Sequence, residues 1–341
     1  MSVTILDIAE ASGKSFSTVS RALNDHPKIS DKTKTEIRQL AEQMGYRPSF
    51  AGQVLKKGCT NILAMIVPNL SDPFYAEFIR YFKANAGRAG YDVVIYDYEM
   101  KPELEIKYLE NILTGYCDGV AAFITSFEHT GSIVERLWNA HIPLVAIGTP
   151  DSDRIHYDLV NLDTRDALKQ IFHELHRQGK RHLAFIQERM AETTLARVRS
   201  HILQRLQDLP LKFDEEHDLY CTSASTLSPA EDGYETGCRI FKENSAIDAV
   251  MTWHGALAYG VQRAAAEVGK RIPEDVALIA CDHTWVTQYA PFPIYSLDQR
   301  LDLMAQEAFA IIQNRLRNKS KWEKPQRRII DACNDWALGK F

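Results

Sequence analysis

Five side chains crowd one side of a short segment near the start of the chain: Phe16, Ser17, Ser20, Arg21 and Asn24, within SFSTVSRALN. Helical spacing sets them opposite Val19, Ala22 and Leu23, which face a small core. Short hydroxyl and amide groups with one long cation can approach base edges and phosphates closely. A helix that met only water would carry Glu, Lys and Gln there instead. Other strings fail on spacing. GKS (Gly13–Ser15) lacks the upstream glycine of a phosphate loop, Ile8 standing in its place. HELH (His173–His176) spaces its histidines by three, where HExxH needs four. GxSxG and GxGxxG do not occur. No catalytic residue, metal or cofactor is therefore expected, and the chain is not read as an enzyme.

A second set of polar and aromatic residues stands where apolar runs end. Asp72 and Phe74 follow the first run in NLSDPFYAEF, Trp253 and His254 end another, and Trp285 lies just beyond Asp282, which ends VALIAC. Carboxylates accept from hydroxyls and aromatic faces pack on C–H groups, a combination suited to a small polyol.

The elements needed to hold the first set are three short helices. Thr4 caps the first with Asp7 completing the box, Gly13 supplies the turn and Ser15 caps the second. Ser30 caps a third, whose Ile37, Leu40, Ala41 and Met44 face inward. This is a helix-turn-helix plan over residues 1–47. Residues 48–60 read as a linker with about two helical turns, too short to stand alone in water. Docked on DNA, that segment would set Leu55 as an apolar wedge in the minor groove, with Lys56 and Lys57 near phosphates.

From Ile62 onward, apolar strands (ILAMIVPNL, YDVVIYDY, GVAAFIT, PLVAIGT, then HLAFIQ, DAVMTW, VALIAC) alternate with helices near 75–89, 103–115 and 130–140. Two such series predict an α/β body of two doubly wound parallel-sheet lobes over 61–341, with ligands at the carboxyl ends of strands. The expected division is 61–161 with 294–325 for lobe 1, and 162–293 with 326–341 for lobe 2. Composition agrees with more than one domain: 341 residues, 45% hydrophobic and 25% charged. The net charge of −5 conceals a basic head, since residues 1–58 hold nine Lys/Arg against six Asp/Glu. Six scattered cysteines without a CxxC pair read as free thiols of a reducing cytoplasm. No apolar run reaches membrane-spanning length and the N-terminus has no export signal, which speaks against a secreted solute receptor.

TILDIAEASGKSFSTVSRALN, the GYRPS after the third helix and the Leu-bearing linker resemble the lac repressor (LacI/GalR) family of bacterial transcription regulators. The resemblance implies that Phe16, Ser17 and Arg21 reach bases in the major groove, that Thr18 and Ser20 anchor the helix, and that Leu55 is the hinge lever. Thr4, Ser15, Asn24, Tyr46 and Lys56 complete the expected DNA contacts. It further implies a body like periplasmic sugar-binding proteins, crossed three times by the chain, with an effector in the interlobe cleft. There Arg199 stands where the family places a cation on effector hydroxyls, and Asp282 matches its effector-binding Asp. The expected partners are pseudo-palindromic double-stranded operator DNA, a second copy of the chain in a homodimer, and a small effector. That effector is read as a carbohydrate, with a purine or other non-sugar ligand as the alternative. Repression is favoured over activation, and a cytoplasmic, nucleoid-associated location is expected. The chain departs from the family pattern at His254-Gly255, where Asn-Asp is usual, at Ile202, at His283 and in the tail IIDACNDWALGKF.

Overall fold

A computed structural model describes residues 3–47, 52, 54, 58–124, 127–148, 155–187, 211–214, 217–222, 228–318, 322 and 324–335. Leu55, Lys56 and Arg199 lie outside the described residues. The chain divides into two compact units, Met1–Thr60 and Asn61–Phe341.

The first unit is three helices, α1 (Ile5–Ser12), α2 (Phe16–Leu23) and α3 (Asp31–Gln43). Each starts at a hydroxyl cap. The Thr4 hydroxyl accepts from the N–H of Asp7 while the Asp7 carboxylate accepts from the N–H of Thr4 at 2.7 Å, closing a capping box. These bonds hold the exposed Asp7 carboxyl below its ordinary range. Gly13, at φ 62°, supplies the left-handed residue between α1 and α2 that a side chain would resist. Ile8, Val19, Ala22, Ile37 and Ala41 close the small core, with the Tyr46 ring packed on its margin.

The second unit holds two six-stranded sheets. The first uses β1 (Ile62–Val67), β2 (Asp92–Asp97), β3 (Gly119–Ala122), β4 (Leu144–Ile147), β5 (Asp158–Asp163) and β11 (Arg327–Asp331), in the order β11-β5-β4-β3-β1-β2. Helices α4 (Pro73–Arg88), α5 (Pro102–Leu113), α6 (Phe127–Asn139) and α11 (Leu301–Arg317) cover it. The second sheet uses β6 (Leu183–Gln187), β7 (Leu219–Cys221), β8 (Ala249–Thr252), β9 (Ala277–Ala280), β10 (Ile294–Asp298) and β12 (Cys333–Asp335), in the order β12-β10-β9-β8-β6-β7. Its helices are α7 (Arg165–Arg177), α8 (Pro229–Glu243), α9 (Gly255–Glu267) and the short α10 (Trp285–Gln288). All pairings are parallel except β10 with β12. Strand order reverses beside β1 in the first sheet and beside β6 in the second, so both lobes open a crevice at those strands' carboxyl ends.

The lobe boundaries differ from expectation at two strands. β10 pairs with β9, so 294–298 belongs to the second lobe, and β11 pairs with β5, so 327–331 belongs to the first. The chain thus passes between sheets at 164, at 299–300 and at 332. β2 also departs from a buried strand: it is the edge of its sheet and Ile95 is exposed. No helix of the described residues is long and apolar enough to cross a membrane.

Candidate functional site

In the head, the Ser15 hydroxyl accepts from the N–H of Thr18 at 3.2 Å and lies 3.1 Å from the Ser17 hydroxyl and 2.9 Å from that of Thr18. This cap fixes the first turn of α2, leaving Phe16, Ser17 and Arg21 exposed while Val19 and Ala22 are buried. Phe16 is 53% exposed, a large apolar ring left uncovered at a helix start. Thr18 and Ser20 are half-buried, and Thr4 and Ser15 are exposed, their hydroxyls committed to the caps. Asn24 is exposed and donates its side-chain N–H to the carbonyl of Ser20, ending the helix. Not every cation of the basic head is available to a polyanion. Lys34 and Arg38 lie 3.0 and 3.1 Å from Asp25, and the two cations hold the Asp25 carboxyl below its ordinary range. Arg21, Lys14 and Lys28 remain exposed.

In the body, three polar residues meet at the carboxyl ends of the two sheets. Asp72 follows β1 and caps α4: its Oδ1 accepts from the N–H of Phe74 at 2.8 Å, with Pro73 preset for the first turn. His254 follows β8, its backbone carbonyl accepting from the Thr252 hydroxyl at 2.8 Å. Asp282 follows β9, and its Oδ1 accepts from the N–H of Gly255 at 2.8 Å. A side chain at 255 would put Cβ 2.5 Å from the Thr287 methyl and 3.0 Å from Asp282 Oδ1, so this approach needs glycine. With each Oδ1 occupied, Oδ2 of Asp72 lies 3.2 Å from His254 Nδ1, and Oδ2 of Asp282 lies 3.9 Å from it. Asp72 and Asp282 are 1% exposed and His254 3%. Burial pushes the Asp282 carboxyl up to about 7; His254 opposes the rise and the Asp72 and Glu77 carboxylates add to it.

Aromatic rings surround the imidazole, with centroids at 5.8 Å for Phe74, 6.0 Å for Tyr75 and 6.3 Å for Trp253. The structure therefore brings Asp72, Phe74, Trp253, His254 and Asp282 together. Trp253 is half-buried and packs into the second lobe's core, against Phe185. Trp285 contributes backbone, not its ring: its N–H donates to Glu77 Oε1 at 2.9 Å and the residue is 57% exposed. His283 is engaged with the Ser296 hydroxyl at 2.7 Å. Glu77 and Tyr75 escape the sequence analysis. Their one signal is position on the α4 turns that follow Asp72. Among the described residues, Asp72, His254 and Asp282 are the group whose donor atoms, within 4.8 Å of one another, could share a metal ion.

Comparison with known proteins agrees with both units. Residues 4–49 match the model of bacterial regulatory proteins, lacI family, and residues 172–334 match that of the periplasmic binding protein-like domain. The HTH-type transcriptional regulator DegA of Bacillus subtilis is 26% identical over 323 residues, 94% of each chain. The HTH-type transcriptional repressor PurR of Pasteurella multocida is 24% identical over 338 residues, 99% of this chain and 98% of that one. Among solved structures, a lac repressor dimer bound to operator and the anti-inducer ONPF shares the fold with a TM-score of 0.79 at 18% identity, covering 98% of each chain. A complex of the transcriptional regulator CelR with cellobiose does so at 0.68 and 20% identity, covering 97% of this chain and 98% of that one.

Proposed function

Because the chain belongs to the lacI family of bacterial regulatory proteins, and is a DNA-binding transcriptional regulator with an effector-binding body, we propose that it is a homodimeric, non-enzymatic repressor controlled by a small polar effector. Phe16, Ser17 and Arg21 read bases in the major groove. Thr4, Ser15, Thr18, Ser20, Asn24 and Tyr46 hold the reading helix and meet the sugar-phosphate backbone, and Leu55 and Lys56 act in the minor groove and on phosphates. Two copies are needed because one short helix spans too few base pairs for useful specificity. The supporting observation is the capped α2, with its polar residues exposed and its apolar ones buried.

The effector binds where Asp72, His254 and Asp282 meet, with Arg199 as a further contact. Carboxylates for hydroxyls and the nearby Phe74 and Trp253 rings favour a carbohydrate. Such an effector changes operator affinity by a coupling free energy of about 1–3 kcal/mol, and operator changes effector affinity by the same factor. Operator binding by the full chain across a panel of sugars and nucleobases tests this. Leu55→Ala is expected to abolish high-affinity operator binding while effector binding persists. A panel in which no compound shifts operator affinity refutes effector control.

A further inference from the structure

We infer that Asp72, His254 and Asp282 form a divalent-cation site that joins the two lobes of the body. Asp72 stands on the first lobe, His254 and Asp282 on the second, so an ion held by all three spans the cleft. The inference rests on the effector cleft described above, and adds to it a component that the sequence does not announce.

Geometry comes first. Zinc–nitrogen and zinc–oxygen bonds of about 2.0–2.2 Å in a tetrahedron place neighbouring donor atoms about 3.3 Å apart. The separations of 3.2 and 3.9 Å from His254 Nδ1 straddle that value, and all three donors lie within 4.8 Å. An ion drawn between them needs only small side-chain adjustments. The outer oxygen of each carboxylate is tied to a backbone N–H, at Phe74 and at Gly255, which orients the inner oxygens. Fixed outer contacts of this kind orient metal ligands and hold their shape.

Charge is the second, independent observation. Asp282 feels Asp72 and Glu77 as like charges, and His254 acts on it in the opposite sense. Two carboxylates buried this closely are strongly unfavourable without a compensating cation. A protonated imidazole neutralises one charge of the pair. A divalent ion neutralises both. One imidazole with two carboxylates suits Zn2+, Mn2+, Fe2+ or Co2+ better than Ca2+ or Mg2+, which prefer all-oxygen sites. Three protein donors leave a position open, which a hydroxyl or carboxylate of an effector could fill.

The test uses the full chain, dialysed against a chelator and titrated with Co2+ in the absence of any sugar or operator. One equivalent is expected to give visible bands of nitrogen and oxygen coordination, without the thiolate charge transfer of a cysteine site. Zn2+ is expected to displace it and to raise Tm. Asp72→Asn, Asp282→Asn and His254→Gln are each expected to weaken Co2+ binding at least tenfold, with circular dichroism confirming that they fold. Cys333→Ser is expected to leave it unchanged. Equal Co2+ uptake by wild type and the three variants overturns the site, as does a wild type that takes up none. The cleft and the ion fail separately. A sugar that shifts operator affinity in a chain taking no Co2+ refutes the ion alone, and a saturated Co2+ site in a chain that no effector controls refutes the sensor alone.

Discussion

The backbone N–H of Trp285 donates to Oε1 of Glu77 at 2.9 Å, and the two residues stand on different lobes, at the start of α10 and on α4. A hydrogen bond of this kind contributes about 0.5–1.5 kcal/mol net. Glu77→Ala is expected to loosen lobe closure and lower effector affinity by roughly two- to tenfold. Glu77→Gln, which keeps an acceptor, is expected to recover most of it. Calorimetric titration of both variants checks the pair.

Arg21→Ala is expected to cost about 1–3 kcal/mol of specific operator binding if the guanidinium contacts a base. Ser17→Ala is expected to relax preference at one operator position with little change in overall affinity. Binding to operator and to a scrambled duplex, compared at one salt concentration, separates the two effects, and unchanged discrimination in both variants refutes the proposed reading face.

Helices α8 and α9 cross at glycines. A Cβ on Gly260 would come 2.0 Å from the Ala230 carbonyl oxygen and 2.2 Å from the Tyr234 nitrogen, both backbone atoms that cannot step aside. Gly260→Ala is therefore expected to lower stability by about 3 kcal/mol or more, since the helices must separate. Gly87, exposed on α4, meets nothing within 4 Å. Gly87→Ala is expected to stabilise by about 0.5–1 kcal/mol. Denaturant midpoints of the two variants must move in opposite directions.

Arg315 holds Asp158 through two bonds, at 2.8 and 2.6 Å, and donates a third to the Lys324 carbonyl at 2.7 Å. Its guanidinium lies 4.9 Å from the ring centroids of both Trp138 and Trp322. With Asp158 1% exposed, Arg315→Ala strands a buried carboxylate and is expected to cost about 3–5 kcal/mol. Adding Asp158→Asn is expected to return part of that loss. Thermal unfolding of the single and double variants gives the comparison.

Burial pushes the Cys117 thiol up to about 12. A thiol with that value is ionised to only about one part in a thousand at pH 9, and ten times less at pH 8. Iodoacetamide is therefore expected to leave Cys117 unmodified in the native chain while the exposed Cys333 is alkylated. Mass spectrometry after labelling with and without urea checks both sites. Rapid native labelling of Cys117 would mean that β3 opens locally.

The parts of the fold carried by local chemistry could be read from residues alone. Thr4, Ser15 and Ser30 begin helices because a hydroxyl before an amphipathic run satisfies orphan N–H groups wherever it stands. The strand-end positions of Asp72, His254 and Asp282 followed from where apolar runs stop. What escaped depends on partners far along the chain. β5 reads DLVNLD and β11 reads RRIID, too polar to resemble inner strands, yet β5 lies between β4 and β11, and β11 alone is the sheet edge. β10 joins the second lobe where the sequence predicts the first, because nothing local tells IYSLD which of two parallel sheets it joins. Arg315 and Asp158 lie 157 positions apart, and neither is distinctive without the other.

The bond from Gln326 to Asp158 spans 168 residues, and β11 completes the first sheet only after the whole second sheet except β12 has been made. On a ribosome, synthesis runs at about 5–20 residues per second. The edge of β5 therefore waits several seconds, at least, for its partner strand. Through that interval the backbone N–H and C=O groups of 158–163 are open to any other extended chain. The aspartates at both ends of β5, Asp158 and Asp163, put charge on that edge while it waits. A nascent regulator of this topology is therefore most exposed to aggregation just before β11 emerges, and a chaperone that shields it has to act after the strands of the second sheet up to β10 have been made.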